Sequence, residues 1–132
     1  MCPAAWTLKS GRDLPSEIYV KYLQETAANL LAIINKYCYE DDRFIRGYTE
    51  AGQIIGSKKD NEASMWLNPQ SWAVISGGAT PEQTEKILQT AYEKLNTPYG
   101  LELMSPAYRY EAFDGAAMIL FNPGTKENGG IF

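Results

Sequence analysis

The residues of this 132-residue chain that could carry out chemistry are carboxylates, lysines and tyrosines. The sequence contains no histidine, which removes the commonest general base and every Ser–His or Cys–His pair. Its two cysteines, Cys2 and Cys38, stand in no metal-binding or redox spacing. We expect two free thiols in a reducing compartment, and a disulfide between them remains the alternative. The sequence therefore predicts no metal site.

The acidic run Glu40-Asp41-Asp42 is the most concentrated group of carboxylates in the chain. It could be interpreted as a pair of catalytic carboxylates or as a cation site. Metal-binding loops need oxygen ligands that are spaced further apart along the chain. We therefore interpret the run as a solvated acidic patch that follows the end of a helix.

Composition excludes several classes of function. Apolar residues make up 45% of the chain, which is too many for a disordered protein, and the net charge is −4. Acids and bases are interspersed, so no Lys/Arg cluster predicts nucleic-acid binding. The longest apolar stretches, such as residues 30–34, are too short to cross a membrane. The first residues lack the pattern of a signal peptide, so we expect a cytoplasmic protein.

A long helix is predicted over residues 17–39, because apolar residues recur there at intervals of three and four. Pro15-Ser16 supplies its start signal, and Ala32 and Ile33 widen the apolar stripe. We therefore expect this helix to be well buried. The residues that form the stripe are Leu23, Ala27, Leu30, Leu31, Ile34 and Tyr37.

A small β-hairpin is predicted next, with strands at Phe44–Tyr48 and Gln53–Ile55 around the turn Thr49–Gly52. Asn68 before Pro69 is typical of a helix start, with the asparagine as the cap. The short helix that follows covers residues 70–75 and is expected to turn Trp72, Ala73 and Ile75 inward.

A second well-marked helix is predicted over residues 81–96, where Thr80 and Gln83 have the spacing of a capping box. Residues 122–130 are predicted to be a loop, since they are rich in glycine, asparagine and proline. Residues 1–14 show no period and are expected to be irregular. The predicted buried face of the 81–96 helix consists of Ile87, Leu88, Ala91, Tyr92 and Leu95.

Four segments, taken in order, resemble the phosphorylases of glycoside hydrolase family 94, which include cellobiose and chitobiose phosphorylases. Each segment alone is short, but the match runs from about residue 18 to the end of the chain. The segments are Phe44-Ile45-Arg46-Gly47-Tyr48 with Ile55-Gly56-Ser57, then Leu67-Asn68-Pro69-Gln70-Ser71-Trp72-Ala73-Val74-Ile75-Ser76-Gly77, then Tyr99-Gly100-Leu101 with Pro106-Ala107-Tyr108, and finally Asn122-Pro123-Gly124-Thr125-Lys126-Glu127-Asn128-Gly129-Gly130-Ile131-Phe132.

The resemblance implies a mainly α fold, namely part of an (α/α)6 barrel of the six-hairpin glycosidase kind, with a small β-hairpin and a long C-terminal loop. Residues 15–132 would form an incomplete catalytic domain. Family members cleave a β-glycosidic bond with inorganic phosphate and invert the anomeric carbon, which gives an α-sugar 1-phosphate. One carboxylic acid protonates the leaving oxygen while phosphate attacks from the opposite face. Phosphate is a co-substrate, and no further cofactor is implied.

The sequence also departs from the family pattern. Nothing in it resembles the motif that carries the general-acid Asp ahead of the long helix. The phosphate-binding His would follow about two residues beyond Phe132. We therefore expect no catalytic residue in this chain, and no phosphorolysis by the chain alone.

Lys126 and Glu127 match the residues that, in the family, hydrogen-bond the acceptor sugar. Without the resemblance, a Lys–Glu pair in a glycine-rich loop would be interpreted as a solvated turn. Gln70 is left open between a structural contact and a sugar contact. Trp72 could stack on the face of a sugar, although a core position is the favoured interpretation.

The expected partners are therefore a β-linked disaccharide or a monosaccharide. An alternative function is a non-catalytic carbohydrate-binding module. Self-association is a further possibility, because an incomplete barrel leaves apolar helix faces uncovered and such faces favour homo-oligomers.

Overall fold

The computed structural model describes residues 16–109 and 120–132 of the chain. Within these residues the fold is mainly α, with three helices and eight strands of two residues each. The predicted irregular segment 1–14 lies outside the described residues. The helices are α1 (Ser16–Cys38), α2 (Leu67–Ile75) and α3 (Pro81–Leu95). The strands are β1 (Tyr39–Glu40), β2 (Arg43–Phe44), β3 (Gly47–Tyr48), β4 (Ile54–Ile55), β5 (Met65–Trp66), β6 (Asn96–Thr97), β7 (Gly100–Leu101) and β8 (Met104–Ser105).

The chain divides into two compact units, Met1–Ile33 and Ile34–Phe132. The described part of the first unit is the larger share of α1. The second unit contains the end of α1, all the strands named above, the other two helices and the C-terminal loop.

Helix α1 confirms the predicted helix, ending one residue earlier at Cys38. The prediction that it is well buried is wrong, because its apolar side chains are exposed. Ile18 is 62% exposed, and Leu30 and Ile33 are each 53% exposed. An apolar stripe indicates that a face is suited to packing, but it does not supply the partner.

The acidic run after α1 forms the turn of a hairpin in which β1 pairs antiparallel with β2. Asp41, at φ 53°, occupies the turn and is exposed. Asp42 forms a two-point ion pair with Arg43, at 2.8 and 3.0 Å. The carboxylate of Glu40 accepts hydrogen bonds from the Ser57 hydroxyl and from the backbone N–H of Lys58. Two of the three acids are therefore half-buried and bonded, rather than simply solvated.

The first strand of the predicted hairpin is shorter than predicted, because Phe44 belongs to β2 and pairs with Tyr39. The hairpin itself is present as β3 paired antiparallel with β4, with Gly47 opposite Ile55. Its turn is closed by a hydrogen bond from the Gly52 N–H to the Thr49 carbonyl, 2.9 Å long. Gly52 has φ 80°, a conformation that glycine adopts without steric cost.

Helix α2 begins at Leu67, and the predicted cap at Asn68 is wrong. Trp66 is the N-cap, in an extended conformation and without a side-chain cap. The inward orientation predicted for Trp72 and Ile75 is also wrong, since they are 67% and 73% exposed. Helix α2 is rotated about its axis so that Leu67 and Gln70 face the core, and Trp72 and Ile75 therefore face solvent.

Helix α3 confirms the predicted capping box: the Thr80 side chain accepts from the Gln83 N–H, and the Gln83 side chain accepts from the Thr80 N–H. Ile87, Ala91 and Leu95 are buried as predicted. The prediction fails for Leu88 and Tyr92, which are 57% and 67% exposed. These two side chains lie beside the buried row and line an apolar groove of about 470 Å³ between α2 and α3.

Two buried clusters lie around the paired strands β5 and β8. One cluster contains Ala63, Trp66, Met104 and Tyr108. The other contains Met65, Leu67, Ala91 and Leu95. Because Met65 and Trp66 are adjacent residues of β5, they point to opposite sides of the strand pair, and β5 thereby joins the two clusters. No helix among residues 16–109 and 120–132 is long and apolar enough to cross a membrane.

The ion pair at the β1–β2 turn predicts a loss of stability in acid. The hydrogen bond from Arg43 holds the pKa of the Asp42 carboxyl below its usual value. Asp42 therefore favours the folded state above the pKa of the unfolded chain, and this contribution is lost as the pH falls toward the folded pKa. We expect the free energy of unfolding in urea to drop between about pH 6 and about pH 3, and to drop less in Asp42→Asn.

Asp41→Asn is the matched control, because Asp41 pairs with Lys58 at the surface. Its effect should be largely screened by salt, whereas that of Asp42 should persist because Arg43 is only 6% exposed. An identical pH dependence in the wild-type chain and Asp42→Asn would contradict this account.

Candidate functional site

The C-terminal loop, residues 122–130, is supported by β7 and by the segment that follows it. The Leu103 N–H donates to the Gly130 carbonyl, and the Phe132 N–H donates to the Leu101 carbonyl, each at 2.8 Å. The same segment continues into β8, which is paired with β5. The end of the loop is therefore connected by backbone hydrogen bonds to the strands at the centre of the core.

The buried side chain of Asn128 anchors the C-terminal half of the loop. Asn128 is 0% exposed, and its carbonyl oxygen accepts from the Tyr108 N–H at 2.7 Å. Its amide nitrogen donates to the carbonyls of Tyr108 and Phe121, at 3.0 and 2.8 Å. Both N–H groups of the amide are thus satisfied, and three separate parts of the chain are joined at one point.

Turns inside the loop determine its shape. The Asn128 N–H donates to the Thr125 carbonyl, and the Gly130 N–H donates to the Lys126 carbonyl at 2.9 Å. A Cβ atom on Gly130 would lie 2.4 Å from that carbonyl oxygen, so no other residue type fits without moving the backbone. Glycine is required here for close approach.

Lys126 and Glu127 lie at the exposed tip of this fastened loop. Lys126 has φ 47°, which is unfavourable for a residue with a side chain. Its Nζ atom lies 4.7 Å from the centroid of the Phe121 ring. The tip therefore presents a cation and a carboxylate on adjacent residues, held by a backbone that is bonded on its buried side.

Gln70 is buried and lies beside the apolar groove between α2 and α3. It is 2% exposed, and its carbonyl oxygen accepts from the Phe44 N–H at 2.8 Å. Its amide nitrogen donates to the carbonyls of Phe44 and Trp66. The side chain therefore joins the first turn of α2 to β2, and all its N–H groups have partners within the chain.

Trp72 does not occupy the core position favoured from the sequence. With 67% of its surface exposed, it presents an aromatic side chain to solvent on α2. Sequence reasoning missed Asn128 and Phe121, which support the loop tip. An asparagine in a glycine-rich tail gives no sign that it will be buried, because the groups it binds at residue 108 are distant in sequence.

The side chains at the tip can bind a ligand that carries hydroxyl groups. Ammonium and carboxylate groups form charge-assisted hydrogen bonds with hydroxyl groups. Among residues 16–109 and 120–132, no group of three His, Cys, Asp or Glu side chains could hold a metal ion. Among the described residues Cys38 is a half-buried free thiol, and burial raises its pKa, which makes it less reactive. Cys2, its predicted alternative disulfide partner, lies outside the described residues.

Comparison with known proteins gives a consistent family. Residues 11–132 match the Glycosyl hydrolase 94 superfamily, catalytic domain. The chain is 36% identical over 112 residues to a cellobionic acid phosphorylase of Neurospora crassa, covering 85% of this chain and 14% of the relative. It is 37% identical over 108 residues to a solabiose phosphorylase of Paenibacillus borealis, covering 81% of this chain and 14% of the relative.

A third relative, an N,N'-diacetylchitobiose phosphorylase of Vibrio proteolyticus, is 34% identical over 124 residues. That match covers 92% of this chain and 15% of the relative. The chain thus spans about a seventh of the length of these curated relatives.

The buried position of Gln70 predicts a large structural effect of its removal. Gln70→Ala leaves the backbone N–H and carbonyl of Phe44 without their partner, and we expect the free energy of unfolding to fall by about 2–4 kcal/mol. Gln89→Ala is the matched control, because Gln89 is an exposed helical glutamine that bonds only to Glu93. It should change the free energy by less than about 0.5 kcal/mol. Equal effects of the two substitutions in urea unfolding would refute the structural role of Gln70.

Proposed function

Since the chain belongs to the Glycosyl hydrolase 94 superfamily, catalytic domain, we propose that it is a segment of an inverting disaccharide phosphorylase that contributes to the acceptor-sugar site. Such an enzyme would use inorganic phosphate to split a β-linked disaccharide into an α-sugar 1-phosphate and a free sugar. The names of the relatives, all disaccharide or glycoside phosphorylases, support the reaction class.

The observation that carries the proposal for the site is the conformation of Lys126. A non-glycine residue at φ 47° costs on the order of 1–3 kcal/mol, and such residues concentrate at functional sites. Glycine would fit this position with less strain, and glycines occupy three nearby positions, 124, 129 and 130. Asp41 and Ala63 share the positive φ, so the strain supports a ligand for Lys126 only together with its exposed position beside Glu127.

Lys126 and Glu127 together suit a sugar. Neighbouring hydroxyls of a pyranose both donate and accept hydrogen bonds, and an ammonium next to a carboxylate offers both kinds of partner. We assign Lys126 to hydroxyl oxygens and Glu127 to hydroxyl protons of the acceptor sugar. The fastened backbone lowers the entropy that the loop loses when a sugar binds.

We assign Gln70 and Trp72 different parts in the same site. Gln70 would act through the position of α2, since its own polar atoms are occupied by the backbone. Trp72 would offer its exposed ring for stacking on a sugar face.

We further propose that the helices belong to an (α/α)6 barrel. This is supported by the exposed apolar face of α1 and by the apolar groove between α2 and α3. In a barrel of paired helices, each such face is covered by a neighbouring helix. Self-association through the same faces remains a prediction, and sedimentation of the purified chain at several concentrations tests it.

Phosphorolysis requires a general acid and a phosphate site, and we propose that these 132 residues do not provide them. The chain has no histidine and no segment resembling the general-acid motif. Incubation of the purified chain with inorganic phosphate and N,N'-diacetylchitobiose is therefore expected to release no sugar 1-phosphate. The phosphorylase of Vibrio proteolyticus serves as the positive control. Release by the purified chain alone would disprove this part of the proposal.

Two substitutions at Lys126 test the sugar contact and distinguish an effect on sugar binding from an effect on the stability of the fold. Lys126→Ala and Lys126→Gly both remove the ammonium, so both should weaken the binding of glucose or N-acetylglucosamine by about tenfold or more, as for a lost charged hydrogen bond. Only the glycine relieves the positive φ, so its free energy of unfolding should exceed that of the alanine variant by about 1 kcal/mol. Titration of the labelled chain by NMR and unfolding in urea give the two quantities.

Glu127→Gln retains the shape of the side chain and should weaken sugar binding by less than its alanine counterpart. If both Lys126 variants bind sugar as well as the wild-type chain does, the assignment of Lys126 to the acceptor sugar is wrong.

A further inference from the structure

Phe121 contacts the Lys126 loop tip in two ways. The ring centroid lies 4.7 Å from the Lys126 Nζ atom, within the distance of a cation–π interaction. Its backbone carbonyl accepts a hydrogen bond of 2.8 Å from the Asn128 side chain. Phe121 thus contacts the ammonium group directly and is also bonded to the residue that fastens the loop.

A lysine needs such support if it is to bind a sugar in one orientation. Its side chain has four rotatable bonds, and an exposed lysine loses much of that freedom when it binds. The ring attracts the ammonium electrostatically without accepting a conventional hydrogen bond. The N–H donors that point away from the ring are therefore left for oxygen acceptors.

The backbone of the loop tip is held by the second contact. Asn128 is completely buried and joins Phe121 to Tyr108, while the Gly130 N–H binds the Lys126 carbonyl. The base of the Lys126 side chain is therefore fixed relative to the Phe121 backbone. Because both the backbone of Lys126 and its ammonium group are held, the Lys126 side chain has one preferred orientation.

We propose that Phe121 is a positioning residue that orients the Lys126 ammonium for the acceptor sugar, through its ring, while its carbonyl secures the loop through Asn128. The inference rests on the proposed function, because it assumes that Lys126 binds the sugar. Sequence reasoning gave Phe121 no such role, and only the fold brings its ring to the lysine.

The wild-type chain by itself provides the first test. A methylene group over an aromatic face is shifted upfield by the ring, so the Lys126 ε-CH₂ protons should resonate upfield of those of the exposed Lys59. The shift should disappear in Phe121→Leu, which keeps apolar bulk without a π face, and should persist in Phe121→Tyr. This readout reports the ring–ammonium contact and does not depend on sugar.

The second test is a titration of the same chains with glucose and with N-acetylglucosamine. Phe121→Leu should raise the dissociation constant about two- to fivefold, the effect of an exposed cation–π contact. Phe121→Tyr should restore the wild-type value. If Phe121 had a purely structural role, Phe121→Leu would lower the unfolding midpoint in urea, and Phe121→Tyr would not specifically restore sugar binding.

The outcomes separate the two proposals. If the chain binds sugar through Lys126 but Phe121→Leu binds equally well, Phe121 is not a positioning residue and the proposed function stands. If Lys126→Ala leaves sugar binding unchanged, the proposed function fails and the positioning role fails with it. A Lys126 ε-CH₂ resonance at the position of Lys59 would overturn the ring contact without bearing on the sugar site.

Discussion

The buried amide of Asn128 is the interaction on which the candidate site depends. A buried polar side chain must find partners inside the protein, because an unsatisfied amide costs more than its hydrogen bonds contribute. Asn128 finds them on the backbone of Tyr108 and of Phe121, and it thereby joins segments that are 20 and 7 residues away in the sequence. The exposed residues on the outer side of the loop are held because this inner side is fixed.

The same principle recurs at Gln70. There a second buried amide joins the backbone of Phe44 to the first turn of α2, again with every N–H group satisfied. Gln70 thereby bonds the outer edge of a strand that is only two residues long, and Asn128 bonds backbone groups that lie outside any strand. A fold with such short strands depends on side-chain amides to define the path of its backbone, and the apolar clusters then pack around that path.

Several helix faces of this chain are apolar and yet exposed. The residues of α1, together with Leu88 and Tyr92 of α3, have the spacing of buried faces, and they are exposed within the part of the chain that the structure describes. The chain corresponds to about a seventh of the length of its phosphorylase relatives. In the proposed (α/α)6 barrel, neighbouring helices would cover these faces.

The sequence by itself determined the features that depend on neighbouring residues. The limits of α1, the capping box of α3, the β3–β4 hairpin and the loop after Phe121 all follow from local spacing and turn chemistry. The family resemblance of the motif that ends at Phe132 predicted a sugar contact for Lys126 and Glu127. Burial was less predictable, because periodicity marks an apolar face but does not say which faces are covered. Only the tertiary structure decided that Trp72 is exposed, that Gln70 and Asn128 are buried, and that Phe121 lies against Lys126, since each of these depends on contacts between segments that are separate in the sequence.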